Sequence, residues 1–349
     1  MLSKHIATCS LLAVTVLAAC KKNNNPEQPA HTSELVVLGY TQNPASEYDR
    51  HYLWSKNETT TFGKLNLNVS RSVEFGSVNN TDIYLAQQGS YWKNNTKTEL
   101  FPSGGTTANV TFRFYQNSIV TLIRKPSATQ SAFFDYSIME DSNTLFTVNS
   151  TTANIYEFKD FVKSGDTYYL LGYDNSLNIH PIVYVKKGQT TSSIDLSVTG
   201  KNFQPARFEL YGSKFYITGY VNRNGVLHAA IMTVNTDGSD KAVSELNIAQ
   251  NSVLSNHLLV DGTDIYVTGW EPDGSGAYYA FYVKNNQKHS LSNKQSRAMQ
   301  IIKVNNDVYI AGLEWGPNLM YKLWKNAEFY ADIKTADNKP IIPLQLLFK

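Results

Sequence analysis

Between residues 34 and 349, apolar side chains alternate with polar ones over stretches of four to eight residues, and Asn, Asp and Gly punctuate the stretches. A period of two is the signature of half-buried β-strands, and turn residues at regular offsets join neighbouring strands as hairpins. One apolar run ending in a small residue recurs: VVLG at 36–39, YLAQ at 84–87, VTLI at 120–123, YLLG at 169–172, YITG at 216–219, YVTG at 266–269 and YIAG at 309–312. The last residues of successive runs are 48, 36, 49, 47, 50 and 43 positions apart. That is the length of one four-stranded propeller blade.

The flanks of the runs repeat as well. Ahead of the run lies an alternating strand and a tight turn, as at 158–162 before KSGD, 208–210 before YGSK and 257–260 before DGTD. Behind it come a longer loop and a third strand, as at 182–185, 229–234, 279–283 and 320–324. A hairpin and a weaker fourth strand follow, as at 243–246 after NTDGSD. The first unit lacks a leading strand, while the chain closes with PLQLLF at 343–348, a leading strand with no run behind it. Joining the two fragments covers the sheet edges that an open array would expose. The pattern predicts an all-β, seven-bladed β-propeller over 34–349, four antiparallel strands per blade, with the first blade closed by the C-terminal strand.

Residues 214–239, KFYITGYVNRNGVLHAAIMTVNTDGS, resemble the bacterial β-propeller repeat known as SBBP, with its YVTG strand and DGS turn, and 264–285 match the first half of that repeat. The WKN triplets at 92–94 and 324–326 resemble those of lipid-anchored propeller proteins of Gram-negative bacteria. The resemblance implies an architecture and carries no agreed activity. It is weakest in the second and third units, where Gln87 and Ile123 replace the glycine.

Ahead of the array, residues 6–19 are apolar, follow a single Lys4, and end in Leu17-Ala18-Ala19 before Cys20. The stretch is shorter than the ~20 apolar residues that span a bilayer, so it is expected to be a removable signal peptide over 1–19. The pattern resembles the bacterial lipoprotein signal, which implies acylation of Cys20 and tethering to a membrane through lipid. Residues 20–33 would then be a lipidated, flexible tether, and Lys21 and Lys22 behind the cysteine favour the outer membrane by the same resemblance. With Cys9 removed and Cys20 acylated, the folded part has no thiol, which excludes disulfides, cysteine-ligated zinc and cysteine nucleophiles.

The 31 Lys and Arg against 29 Asp and Glu leave a net charge of +2, which implies no polyanion partner, so no nucleic acid is expected. No phosphate-binding loop, dinucleotide fingerprint, G-x-S-x-G or HExxH occurs, so no cofactor and no metal is expected. The loops between second and third strands are long and variable, the usual place for binding on a rigid scaffold. Directly after the run, Tyr40, Tyr173, Tyr220 and Trp270 are candidate anchors for a protein or glycan, against the alternative of packing between blades. Arg71, Arg207 and Arg297, each expected just ahead of an innermost strand, are candidate contacts to a carboxylate or phosphate. The expectation is a non-catalytic, lipid-anchored envelope module binding protein or glycan on the long-loop face. A carbohydrate-active hydrolase or lyase using Asp49, Asp174, Glu271 and Glu314 is one alternative. A structural subunit of an outer-membrane assembly is another.

Overall fold

In the computed structural model, residues 35–41, 50–55, 59–64, 75–79, 82–87, 90–93, 96–100, 108–115, 118–127, 134–174 and 180–348 are described. All regular structure among them is β, and none of it is a helix able to cross a membrane. The signal segment, Cys20 and the tether lie outside the described residues.

The strands form seven four-stranded antiparallel sheets. The first holds β1 (Leu35–Thr41), β2 (Arg50–Trp54) and β3 (Thr59–Lys64), with β28 (Ile342–Phe348) on the inner side of β1. The second holds β4 (Phe75–Asn79), β5 (Asp82–Gln87), β6 (Ser90–Lys93) and β7 (Thr96–Glu99), and the third β8 (Ala108–Tyr115), β9 (Ser118–Pro126), β10 (Phe134–Glu140) and β11 (Asn143–Val148). The fourth runs through β12 (Ile155–Ser164), β13 (Thr167–Asp174), β14 (Pro181–Lys187) and β15 (Thr190–Asp195), and the fifth through β16 (Phe203–Tyr211), β17 (Lys214–Arg223), β18 (Val226–Asn235) and β19 (Ala242–Glu245). The sixth contains β20 (Val253–Asp261), β21 (Asp264–Pro272), β22 (Tyr278–Lys284) and β23 (Gln287–Ser290), and the seventh β24 (Ser296–Val304), β25 (Asp307–Glu314), β26 (Met320–Lys325) and β27 (Glu328–Ile333). The expected union of the chain ends is present: Leu35 pairs with Phe348 and Val37 with Leu346. Leading strands of successive sheets pack side by side, β8 on β12, β12 on β16, β16 on β20, β20 on β24, β24 on β28 and β28 on β4.

Short turns follow from their residues. Gly212 and Asn305, each first of two turn residues, take positive φ of 60° and 53°, as tight hairpins between right-twisted strands require. The repeated Lys-Asn pair at the end of a third strand is a staple. Asn285 accepts from the Ile265 N–H and donates to Asp264, and Lys284 pairs with the same carboxylate at 2.9 Å. Asn326, Asp307 and Lys325 repeat this in the seventh sheet, with the Val308 N–H as donor and the ion pair at 2.7 Å. Hydrogen bonds from Lys284 and Asn285 hold the Asp264 carboxyl down at about 2.

The recurrent small residue has a different cause. A register shift interrupts the leading strand opposite it, between Phe158 and Asp160, Pro205 and Arg207, Leu254 and Leu258, and Ala298 and Gln300. There the leading strand lays a carbonyl oxygen against the second strand. A Cβ on Gly172, Gly219, Gly269 or Gly312 would stand 2.1, 2.2, 2.3 or 2.1 Å from the oxygen of Glu157, Gln204, Val253 or Arg297. Gly39 meets the Ile342 oxygen in the same way at 2.5 Å. Only glycine fits such an approach. Ile123 of the third sheet stands opposite Asn109 at a similar shift, so the close carbonyl, rather than the shift itself, imposes the glycine.

Buried apolar residues fill the space between successive sheets. Phe158, Phe161 and Leu170 of the fourth sheet join Val120, Leu122 and Ile138 of the third, and Phe208, Phe215 and Ile217 of the fifth join Leu171 and Val183 of the fourth. At ~25 cal/mol per Å² of apolar surface removed from water, this interdigitation is the main force holding one sheet to the next. Polar side chains add direction: the Phe208 N–H donates to Asp160 Oδ2 at 3.3 Å, and the Leu346 N–H to Gln300 Oε1 at 2.8 Å. Asp160 and Gln300 occupy the same position just past the register shift of their sheets.

Candidate functional site

Leading strands carry polar residues past their register shifts, and in the third to sixth sheets these meet. Arg113 of β8 donates to both oxygens of Asp160 of β12, at 2.9 and 3.4 Å, and to Glu209 of β16 at 2.7 Å. It also donates to the Phe208 carbonyl at 2.9 Å. Arg207 lies 3.6 Å from Asp160 and donates to Thr111 of β8 at 3.2 Å. Residues two sheets apart in sequence therefore touch across the middle of the array. Asp160 is fully buried and is satisfied by Arg113, Arg207 and the N–H groups of Phe161 and Phe208. Burial opposes charge on Arg113, but Asp160 and Glu209 outweigh it and hold the guanidinium above its ordinary pKa. Burial raises the Glu209 carboxyl despite Arg113. His257, within the bulged part of β20, is pushed down to about 4 by burial and then by Arg207 and Arg113. Sequence reasoning missed this cluster, because Arg113, Asp160 and Glu209 converge through three different strands and share no motif.

Among the described residues, the starts of leading and third strands and the ends of second strands lie at one end of each antiparallel sheet, the long-loop face. On it, a pocket of about 510 Å³ opens between the fourth and fifth sheets. Tyr156, Tyr173 and Phe203 supply its aromatic wall, and Glu157, His180, Lys201 and Gln204 its polar groups. Burial raises the Tyr173 phenol to about 12, so it stays a neutral donor. His180 Nδ1 is 3.2 Å from Ser197 Oγ, and Lys201 donates to the Val243 carbonyl at 2.8 Å.

The four candidate aromatics meet different neighbours. Each belongs to its own sheet, and three of them face the next one. Tyr173 lines the pocket against the fifth sheet. Tyr220 accepts the Leu254 N–H of the sixth sheet at 2.9 Å and packs in that interface. Trp270 lies against Arg297 of the seventh sheet, and Tyr40 is buried in β1. The arginines also part ways. Arg207 is not ahead of its leading strand but inside it, opposite Thr218, and belongs to the central cluster. Arg297 is the second residue of β24, opposite Leu313, and sits among Trp270, Tyr278 and Trp315 with ring centroids at 5.0, 5.3 and 5.1 Å. Arg71 and Asp49 lie outside the described residues.

Each candidate acid among the described residues has local partners. Asp174 accepts the His180 N–H at 2.8 Å. Glu271 pairs with Lys288 at 2.5 Å and accepts the Ala249 N–H. Glu314 holds Ser292 at 2.7 Å and Lys294 at 3.3 Å. They sit in the fourth, sixth and seventh sheets respectively. Asp273 organises the turn of its loop by accepting from Ser275 and Ala277. Among the described residues no three His, Cys, Asp or Glu side chains gather as a metal site.

No family model and no curated protein matches the chain. Solved structures do. The β-propeller domain of the Trilobed protease from Pyrococcus furiosus aligns at 12% identity and a TM-score of 0.48, over 74% of this chain and 78% of that one. Pyrococcus horikoshii acylaminoacyl peptidase aligns at 8% identity and a TM-score of 0.50, over 84% of this chain and 52% of that one, so the match spans about half of the peptidase. The likeness is one of fold. Four-stranded antiparallel sheets, stacked in chain order with their leading strands side by side, make this a β-propeller.

Proposed function

We propose that the chain is a seven-bladed, closed propeller that is held on the bacterial envelope by lipid at Cys20 and uses its long-loop face as a non-catalytic binding surface for a protein or glycan. The observation that carries the binding role is the pocket between the fourth and fifth sheets, built from Tyr156, Tyr173 and Phe203 beside His180, Lys201, Gln204 and Glu157. Aromatic faces combined with a few convergent polar groups suit the flat, hydroxyl-edged surface of a sugar ring or a peptide. The sequence of the tether and the Leu17-Ala18-Ala19-Cys20 pattern support the envelope address. Against a catalytic reading stands the engagement of Asp174 by the His180 N–H, of Glu271 by Lys288 and of Glu314 by Ser292 and Lys294. A two-carboxylate glycosidase needs one carboxyl group able to deliver its proton to the leaving oxygen.

A panel of immobilised envelope oligosaccharides tests this directly. The wild type and Tyr220→Phe should retain the same glycan, while Tyr173→Ala, with an unchanged unfolding midpoint, should lose it. Retention by Tyr173→Ala removes the pocket from the account, and release of shortened sugar from the panel overturns the non-catalytic role.

A further inference from the structure

Arg297 stands apart from the other enclosed cations. Its guanidinium is ringed by Trp270 and Tyr278 of the sixth sheet and Trp315 behind β25, all within 5.3 Å of the ring centroids. Its Nε is buried and has no acceptor. Among the described residues no carboxylate pairs with it. The acids nearest in sequence to its aromatic neighbours are engaged elsewhere, Glu271 by Lys288 and Glu314 by Lys294 and Ser292. Ring faces attract a cation but accept no strong hydrogen bond, so the planar array of N–H donors keeps unmet capacity. The side chain as a whole is only partly covered, and it stands on the long-loop face, at the start of β24 beside the ends of β21 and β25.

We propose that Arg297 is the seat of a carboxylate-binding site between the sixth and seventh sheets, taking a hexuronic acid whose sugar ring lies against the surrounding indoles. A carboxylate offers two coplanar acceptors that match the fork of a guanidinium, and the rings that exclude water strengthen that pairing. The apolar face of a pyranose supplies the rest of the contact. The site is separate from the pocket at Tyr173 and does not depend on it.

Titration of the intact chain with D-glucuronate, read by tryptophan fluorescence, tests the proposal, because Trp270 and Trp315 border the site. Saturable binding with a Kd on the order of 1 mM is expected, with glucose silent and acetate weaker. Arg297→Met should abolish the response. Arg297→Lys, which keeps charge and stem but loses the fork, should weaken it about tenfold. Should the methionine variant fail to fold, the lysine variant carries the test alone. Tyr173→Ala should leave glucuronate binding unchanged, which separates this site from the pocket. Equal response to glucose, equal affinity for acetate, no saturation, or unaltered binding in the arginine variants overturns the proposal.

Discussion

Arg113 and Arg297 are both arginines drawn in among the ends of several sheets, and the protein treats them in opposite ways. Arg113 is surrounded by acceptors: two carboxylates and a carbonyl take its N–H groups, and a second arginine shares Asp160. Arg297 is surrounded by rings and, among the described residues, pairs with no carboxylate. A buried ion pair stabilises little on its own account, yet removing one partner leaves a charge stranded, so the Arg113 cluster locks three sheets into one arrangement. The Arg297 collar locks nothing by charge. The same slot between neighbouring sheets also takes a neutral form. Between the fifth and sixth sheets, Tyr220 occupies the position of Trp270 and donates no charge; it simply accepts the Leu254 N–H. One structural position is thus closed by a phenol, opened as a pocket beside Tyr173, or filled by a guanidinium awaiting an anion.

The strongest way to break this contrast is Asp160→Ala. It leaves Arg113 and Arg207 side by side without the carboxylate they share, Glu209 alone remaining on Arg113, and a loss of about 3 kcal/mol is expected in urea unfolding, with glucuronate binding unchanged. A smaller effect comes from acid. His257 binds its proton only near pH 4 when folded, whereas an ordinary imidazole does so near 6.5. As pH falls from 6.5 towards 4 the unfolded chain takes up a proton that the folded chain refuses, so stability present above 6.5 is lost across that window. Between pH 7 and pH 4.5 the wild type should lose about 2 kcal/mol more than His257→Leu. Equal losses would take His257 out of the cluster's neighbourhood.

Much of the architecture was legible because it repeats. The YVTG-like runs, the turns and the orphan strand at 343–348 led to four-stranded units and to the joining of the terminal strand with the first unit, whose register pairs Leu35 with Phe348. The glycine of each run was legible as a marker but not as a cause, since the carbonyl it accommodates belongs to a register shift in another strand. Site residues were harder. Arg207 and Arg297 look alike in sequence, both expected just ahead of an innermost strand, yet one lies past the shift and the other before it, which sends the first to the central cluster and the second to the long-loop face. Tyr173, Tyr220 and Trp270 follow the same glycine, and what distinguishes them is the neighbour each meets on the next sheet: open space, a backbone N–H or an arginine. Such differences arise from packing between units about fifty residues apart, which local patterning does not encode.

The decisive measurement sets Arg113→Met beside Arg297→Met in ligand-free urea unfolding. Arg113→Met, which among the described residues leaves the buried Asp160 with Arg207 as its one cation and Glu209 without its ion-pair partner, should lose about 3 kcal/mol, while Arg297→Met should stay within about 1 kcal/mol of the wild type because a thioether packs as well among the rings. Equal losses, or a larger loss at Arg297, would mean that the collar is a structural clamp like the central cluster, and would contradict the distinction drawn between them.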